Sequence, residues 1–179
     1  MTNTPQHHIA AGARLHTTTI ESPVGELRIV ASDTGVRAVL WPTDDASRVP
    51  LPPDIEESDS HPILGRATRE LSEYFVGERQ RFEVALDPEG TDFQQRAWIA
   101  LRAIPYGDTV SYGEQAERMG DKNKARAVGA ANGRNPVSII VPCHRVVGSN
   151  GSLTGFAGGI EAKRWLLAHE QKVAGHTLL

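Results

Sequence analysis

The sequence predicts an α/β chain of two small domains: a strand-rich first half and a mainly helical second half built on a helix-turn-helix. Three observations carry that expectation. β-branched and alternating stretches gather before residue 42, and capped helical stretches gather after residue 90. Between them, "DPEGTD" at residues 87–92 has the composition of a boundary, so the first domain ends near Gly90. Charge divides at the same place: residues 1–90 hold 8 Lys and Arg against 15 Asp and Glu, a net of −7, and residues 91–179 hold 11 against 7, a net of +4.

The first 14 residues read as a disordered tail, leaving 15–90 and 91–179 as the two domains. "HTTTIES" and "GELRIVAS" read as strands, separated by the turn "SPVG"; "SDTG" then leads into a third strand, "VRAVLW". Together they predict an antiparallel meander. Residues 42–60 are rich in Pro, Asp and Glu and read as an exposed loop. In residues 62–78, Ile63, Leu64, Ala67, Leu71, Tyr74 and Phe75 fall at helical spacing, with Gly77 as the stop. "RFEVAL" reads as a short strand.

The second domain opens with a helix capped at Thr91 or Asp92, whose apolar stripe is Phe93, Ala97, Ala100, Leu101 and Ile104. Ser111 and Glu114 form a second capping box, and Gly120 stops that helix. Asn123 is the candidate cap of a third, "KARAVGAAN", which ends at Gly133. Two short helices joined tightly make a helix-turn-helix pattern, a motif that proteins unrelated to DNA also use. "VSIIV" reads as a strand, "GSNGSLTGFAGG" as a glycine-rich loop, and "IEAKRWLLAHEQKVA" as a C-terminal helix.

Composition excludes several classes. One cysteine, Cys143, permits neither an internal disulfide framework nor a multi-cysteine zinc site, and a reducing cytoplasm is the expected compartment. There is no run of about 18 apolar residues to span a membrane and no signal-peptide core at the N-terminus. The net charge of −3 argues against a polyanion partner for the whole chain, but the positive second half is where such a contact belongs.

A lone cysteine is ordinarily a small buried hydrophobe. Here Pro142 stiffens the approach to it, and His144 and Arg145 set a base and a cation next to it. Positive charge lowers a thiol pKa from about 8.5, so this setting suits a nucleophile. Adjacent residues on extended chain face opposite ways, so a turn or a bridging water is needed to join Cys143 to His144. Glu170 shares a helical stripe with Leu166 and Leu167 near a helix C-terminus, where an anion is disfavoured. It is either the group that orients His144 or, more ordinarily, a solvated last-turn side chain. Around Arg126, Ala125, Ala127 and Gly129 make a smooth helix surface that either packs into a core or lies close to a DNA groove.

At this point "FQQRAW", "IPYGDTVSYGE", "ARAVGAANGRNP", "IVPCHRVVG", "LTGFAGG" and "LLAHE", in that order, resemble the O6-alkylguanine-DNA alkyltransferases, the methylated-DNA–protein-cysteine methyltransferase family. The first half matches more loosely, through "SPVGELRIVAS" and the stretch from Leu71 to Gln94. The resemblance implies a ribonuclease-H-like domain followed by a winged-helix-like helix-turn-helix domain. It implies an irreversible, single-use transfer of an alkyl group from O6-alkylguanine in double-stranded DNA to Cys143. His144 is then the water-linked base, Glu170 its orienting carboxylate, and Asn135, Pro142 and Arg145 the support. Tyr112 helps turn out the nucleotide and Arg126 fills the vacated stack. Phe156, Ala157 and Gly158 belong to the loop that closes on the base. Some relatives have Tyr-Ser where this chain has Phe156-Ala157, so hydroxyl contacts there do not carry over. No metal and no cofactor are expected, because the zinc-binding cysteines of vertebrate members are absent. The expected partner is damaged duplex DNA, bound by a monomer, with cooperativity left open. Without the resemblance, a cysteine hydrolase and a non-catalytic DNA-binding regulator compete.

Overall fold

A computed structural model describes residues 14–175. The expected disordered tail, apart from Arg14, lies outside the described residues. Among them no helix is long and apolar enough to cross a membrane.

The meander forms as the alternation predicts. Strand β1 (His16–Ile20) pairs antiparallel with β2 (Leu27–Ala31), which pairs antiparallel with β3 (Val36–Leu40). Leu27, Ile29, Val36 and Val39 enter the main core, whereas Val30 and Ala38 face the other way with Leu15. That second face corrects the reading of residues 42–60 as merely exposed. Val49, Leu51 and Ile55 pack over Leu15, Val30 and Ala38, and β4 (Glu56–Glu57) joins β1 in parallel. The Pro and Asp content obscured three apolar side chains that cover a sheet face and an edge strand that needed a partner.

Helix α1 (Pro62–Phe75) lays Leu64, Ala67, Leu71 and Tyr74 against the sheet, and Gly77 stops it at φ 81°. "RFEVAL" is not a strand: only Leu86 makes an isolated bridge, to Val36. The fully buried Glu70 of α1 explains this. Its Oε1 accepts the N–H groups of Glu83 (2.7 Å) and Val84 (3.0 Å), taking the place of a neighbouring strand.

In the second half, α2 (Asp92–Arg102) and α3 (Tyr112–Arg118) begin with the capping boxes expected at Thr91 and Ser111. Asn123 is not a helix cap. The side chain of Asp121 accepts the Asn123 N–H and starts a 3-10 turn, Lys122–Lys124, from which α4 (Ala125–Gly133) continues with no side-chain cap. α3 and α4 are locked by a buried amide pair: Gln115 Nε2 donates to Asn132 Oδ1 at 3.0 Å, and Asn132 Nδ2 returns to Gln115 Oε1 at 2.7 Å. The small sheet of β5 (Val110–Ser111) and β6 (Val146–Val147) lies beside them, and α5 (Ile160–Val173) closes the chain.

"VSIIV" is a turn rather than a strand, carrying only isolated bridges from Val137 and between Ser138 and Val141. One apolar core runs through both halves, from Leu27 and Leu71 to Val137, Ile140 and Leu166.

Candidate active site

The site is built on the turn before the cysteine. Asn135, 1% exposed, donates from Nδ2 to the Val141 carbonyl (2.8 Å) and accepts the Val137 N–H on Oδ1 (3.0 Å). Between these bonds Ile139 sits at φ 73°, a left-handed conformation costly for a β-branched residue, by roughly 1–3 kcal/mol. Burial and the two Asn135 bonds hold it there. Pro142 is buried and leads into a 3-10 turn, Cys143–Arg145. Three residues per turn splay consecutive side chains apart. Cys143 is accordingly half-buried, while His144 and Arg145 point into the interior.

Both meet Glu170, which is fully buried on α5 rather than solvated. Its Oε2 lies 2.6 Å from His144 Nε2 and accepts the Tyr74 hydroxyl (2.7 Å) and Arg145 Nη2 (3.1 Å). Its Oε1 accepts Arg145 Nε (2.7 Å) and the Gly107 N–H (3.3 Å). Burial alone would raise the Glu170 pKa, but the hydrogen bonds from His144 and Arg145, with the fixed charge of Arg145, hold it far below the carboxylate range. The same burial pushes His144 down, against the pull of Glu170, so the ring is neutral at pH 7. A neutral ring beside an ionised carboxylate donates from Nε2. That leaves Nδ1 as the lone pair, and Nδ1 is buried without a partner among the described residues. Chemically, this is a base with one side fixed and the other free.

The electrostatics of Cys143 correct the sequence reading. Burial raises its pKa, opposed by a hydrogen bond from Asn135 and by the charges of Lys163 and Arg48. Arg145, expected beside the sulfur, is committed to Glu170, because a carboxylate this deep needs a buried counter-charge. Lys163 is 1% exposed, and its Nζ donates to the carbonyls of Val146 (2.6 Å) and Thr154 (3.4 Å). Burial lowers its pKa.

On the outer side, Arg126 and Ala127 of α4 are exposed, with Ala125 and Gly129 partly so, and none of the four forms core. Gly129 lies beneath Tyr112, whose ring carbons would be 3.5 and 3.6 Å from an added Cβ. The Tyr112 and Thr154 hydroxyls share a hydrogen bond of 2.6 Å, so α3, α4 and the glycine-rich loop meet at this ring. Phe156 stands edge-on to Trp41 at 5.4 Å, Ala157 is half-buried beside it, and Gly158 approaches Trp41 so closely that a Cβ would sit 2.6 Å from the ring.

His16, Asp33 and His61 also gather, with ligand atoms within 4.8 Å of one another. His61 Nδ1 accepts the Leu64 N–H, which places the ring proton on Nε2, facing Asp33 at 3.6 Å. In that tautomer His61 offers no lone pair to a cation.

Four residues at the site were not singled out from sequence: Tyr74, Lys163, Arg48 and Trp41. Lys163 had a signal, since it shares a face with Leu166 and Glu170 at spacings of three and seven. Tyr74 had another: a tyrosine in an apolar stripe needs a partner for its hydroxyl. Arg48 and Trp41 had none, because their partners lie about 90 residues away.

Comparison with known proteins gives one consistent result. A model described as the ribonuclease-like domain of 6-O-methylguanine DNA methyltransferase matches residues 15–88, and that protein's DNA binding domain matches residues 92–172. The chain is 48% identical over 163 residues to a methylated-DNA–protein-cysteine methyltransferase of Mycobacterium bovis, covering 89% of this chain and 94% of the relative. It is 44% identical over 150 residues to one of Methanosarcina acetivorans, covering 84% and 94%. Mycobacterium tuberculosis OGT, solved in complex with DNA, superposes with a TM-score of 0.77 at 46% identity, covering 88% of this chain and 94% of that one.

Proposed function

The chain belongs to the methylated-DNA–protein-cysteine methyltransferase family, and on that premise we propose that it removes the alkyl group of O6-alkylguanine in double-stranded DNA onto its own Cys143, once per molecule, after turning the damaged base out of the helix. The observation that carries this reading is the buried pair of His144 and Glu170, with a His144 Nδ1 that no described residue engages, one residue along the chain from the only thiol. Nδ1 takes the thiol proton, directly or through a water. The sulfur then attacks the alkyl carbon, forming a C–S bond as the carbon–O6 bond breaks. Guanine leaves as a neutral base when Tyr112 supplies a proton; the Tyr112 phenolate then regains a proton from water and the His144 imidazolium returns one to water, so in net the thiol hydrogen replaces the alkyl group on guanine. Water does not hydrolyse a thioether, which makes each molecule single-use.

Arg126 suits the vacated stack because it is the long exposed side chain on an otherwise small-residue helix face. Flipping costs a few kcal/mol, offset by stacking in the pocket and by Arg126. Loop residues Phe156, Ala157 and Gly158 close on the base through ring packing and backbone N–H groups. Duplex binding is electrostatic and largely independent of sequence. The two domains divide at Gly90, and the protein acts as a monomer in the cytoplasm.

The test is transfer of a labelled alkyl group from a duplex containing one O6-methylguanine. Label should move to the wild-type protein and not to Cys143→Ser, which should still bind the duplex. Release of free methanol with no labelled protein would point instead to a cysteine hydrolase.

A further inference from the structure

We propose that Arg48, contributed by the first half of the chain, is a positioning residue for the Cys143 thiol. It rests on the reading of Cys143 as the alkyl acceptor. The segment 41–48 leaves β3 and crosses to the turn on which the cysteine stands. It does so through three separate contacts. Trp41 Nε1 donates to Ser138 Oγ (3.0 Å), Arg134 Nη1 donates to the Ser47 carbonyl (3.0 Å), and Arg48 Nη1 donates to the Asn135 carbonyl (2.7 Å).

The third differs from the others in how it is made. Arg48 and Asp44 form an ion pair with side chains only 13% and 10% exposed. Asp44 Oδ2 accepts Arg48 Nη2 at 2.7 Å and the Trp41 N–H at 2.9 Å, and Oδ1 accepts Arg48 Nε. One edge of the guanidinium, Nε and Nη2, is thus fixed by Asp44, which aims the remaining nitrogen, Nη1, at Asn135. A fork held on one side and donating on the other is a geometric restraint that a lysine cannot reproduce.

Asn135 is the residue that shapes the strained Ile139 turn leading to Cys143, and its amide favours the thiolate against burial. Arg48 therefore reaches Cys143 in two ways. Its grip on the Asn135 carbonyl sets where the asparagine side chain lies, and its positive charge, little screened at this depth, favours the thiolate. A desolvated ion pair is a poor source of stability on its own. Here the pair holds a cation against the Asn135 carbonyl, at the base of the turn that carries a thiol burial otherwise keeps protonated. The segment that covers the sheet in the first half also tunes the reactivity of the second.

The experiment uses full-length protein and two variants, Arg48→Met, which removes charge and fork, and Arg48→Lys, which keeps the charge alone. Iodoacetamide titrates Cys143 unambiguously, since it is the only thiol in the chain. Its rate against pH, the rate with O6-benzylguanine, and Tm are measured for each. In Arg48→Met the iodoacetamide profile should move to higher pH, and both rates at neutral pH should fall about tenfold, the effect of one charge-assisted hydrogen bond. Arg48→Lys should keep the wild-type midpoint and still lose rate with benzylguanine. A lowered Tm with both rate profiles superimposed on wild type would make Arg48 purely structural and overturn the proposal. If Arg48→Met does not fold, Asp44→Asn, which frees the fork but leaves the cation, decides: it should slow benzylguanine transfer, and an unchanged rate overturns the proposal. A wild type that takes no methyl group from duplex O6-methylguanine sinks the alkyl-transfer reading instead, while the iodoacetamide profiles still decide the role of Arg48.

Discussion

Replacing Glu170 by Gln keeps the size of the side chain and removes its charge. The carboxylate accepts five hydrogen bonds, from His144, Tyr74, Gly107 and twice from Arg145. An amide has one accepting oxygen, so whichever way Gln turns, at least two donors face its NH2 group. Arg145, with its side chain 8% exposed, also loses its counter-charge. Breaking a buried pair in this way costs roughly 3–5 kcal/mol. At roughly 2–4 °C per kcal/mol for a chain of this size, Tm should fall by about 6–20 °C. His144 loses both its orientation and the anion that raises its basicity, so it becomes a weaker base. By analogy with other oriented histidines, the alkylation rate should fall roughly 10²- to 10⁴-fold. The assay is the O6-benzylguanine rate across pH, together with thermal unfolding. The thiol should also become harder to ionise, moving the profile to higher pH. A variant with wild-type Tm and a superimposable pH–rate profile would refute the argument.

Tyr74→Phe removes one buried donor to Glu170 and leaves both charges, so it should cost roughly 1.5–3 kcal/mol in thermal unfolding and slow transfer far less than Glu170→Gln does. Arg126→Ala should slow repair of duplex O6-methylguanine much more than reaction with free benzylguanine, which needs no flipping; equal losses in the two rates would place Arg126 in the fold or pocket instead. Stability should fall in acid. His144 is held neutral in the folded state, so unfolding takes up its proton once pH drops below about 6.5, at up to about 1.4 kcal/mol per pH unit. Glu170, ionised when folded, adds to the loss below about pH 4.3, where the unfolded carboxyl protonates. Calorimetry from pH 7 to pH 4 checks this, and a flat Tm would contradict it.

Local signals in the sequence were read with success. The capping boxes at Thr91 and Ser111 and the glycine stop at Gly77 depend on residues within a turn of one another, and the structure has each in place. The differences lie where a buried polar side chain takes the place of a strand partner. Glu70 satisfies the backbone of "RFEVAL", so an alternating stretch needs no strand partner. Asn135 bends "VSIIV" into a turn by bonding both its ends, against the β preference of its residues. At the site, Cys143, His144 and Arg126 stand out as candidates from local composition, and Tyr112 only through the family resemblance. Burial of Glu170 was not, because its partners arrive from three elements, Tyr74 on α1, Gly107 after α2 and the 143–145 turn. The sign of the Cys143 shift has a related cause: sequence adjacency suggests Arg145 beside the sulfur, whereas folding commits Arg145 to Glu170, and burial outweighs the charges of Lys163 and Arg48.

Intact-protein mass after incubation with a several-fold excess of duplex bearing O6-methylguanine tests the central claim most directly. Every molecule should gain one methyl group and no more, peptide mapping should place it on Cys143, and repaired guanine should never exceed the protein added. Repaired guanine in molar excess over protein, or a methyl group on any residue other than Cys143, would contradict it.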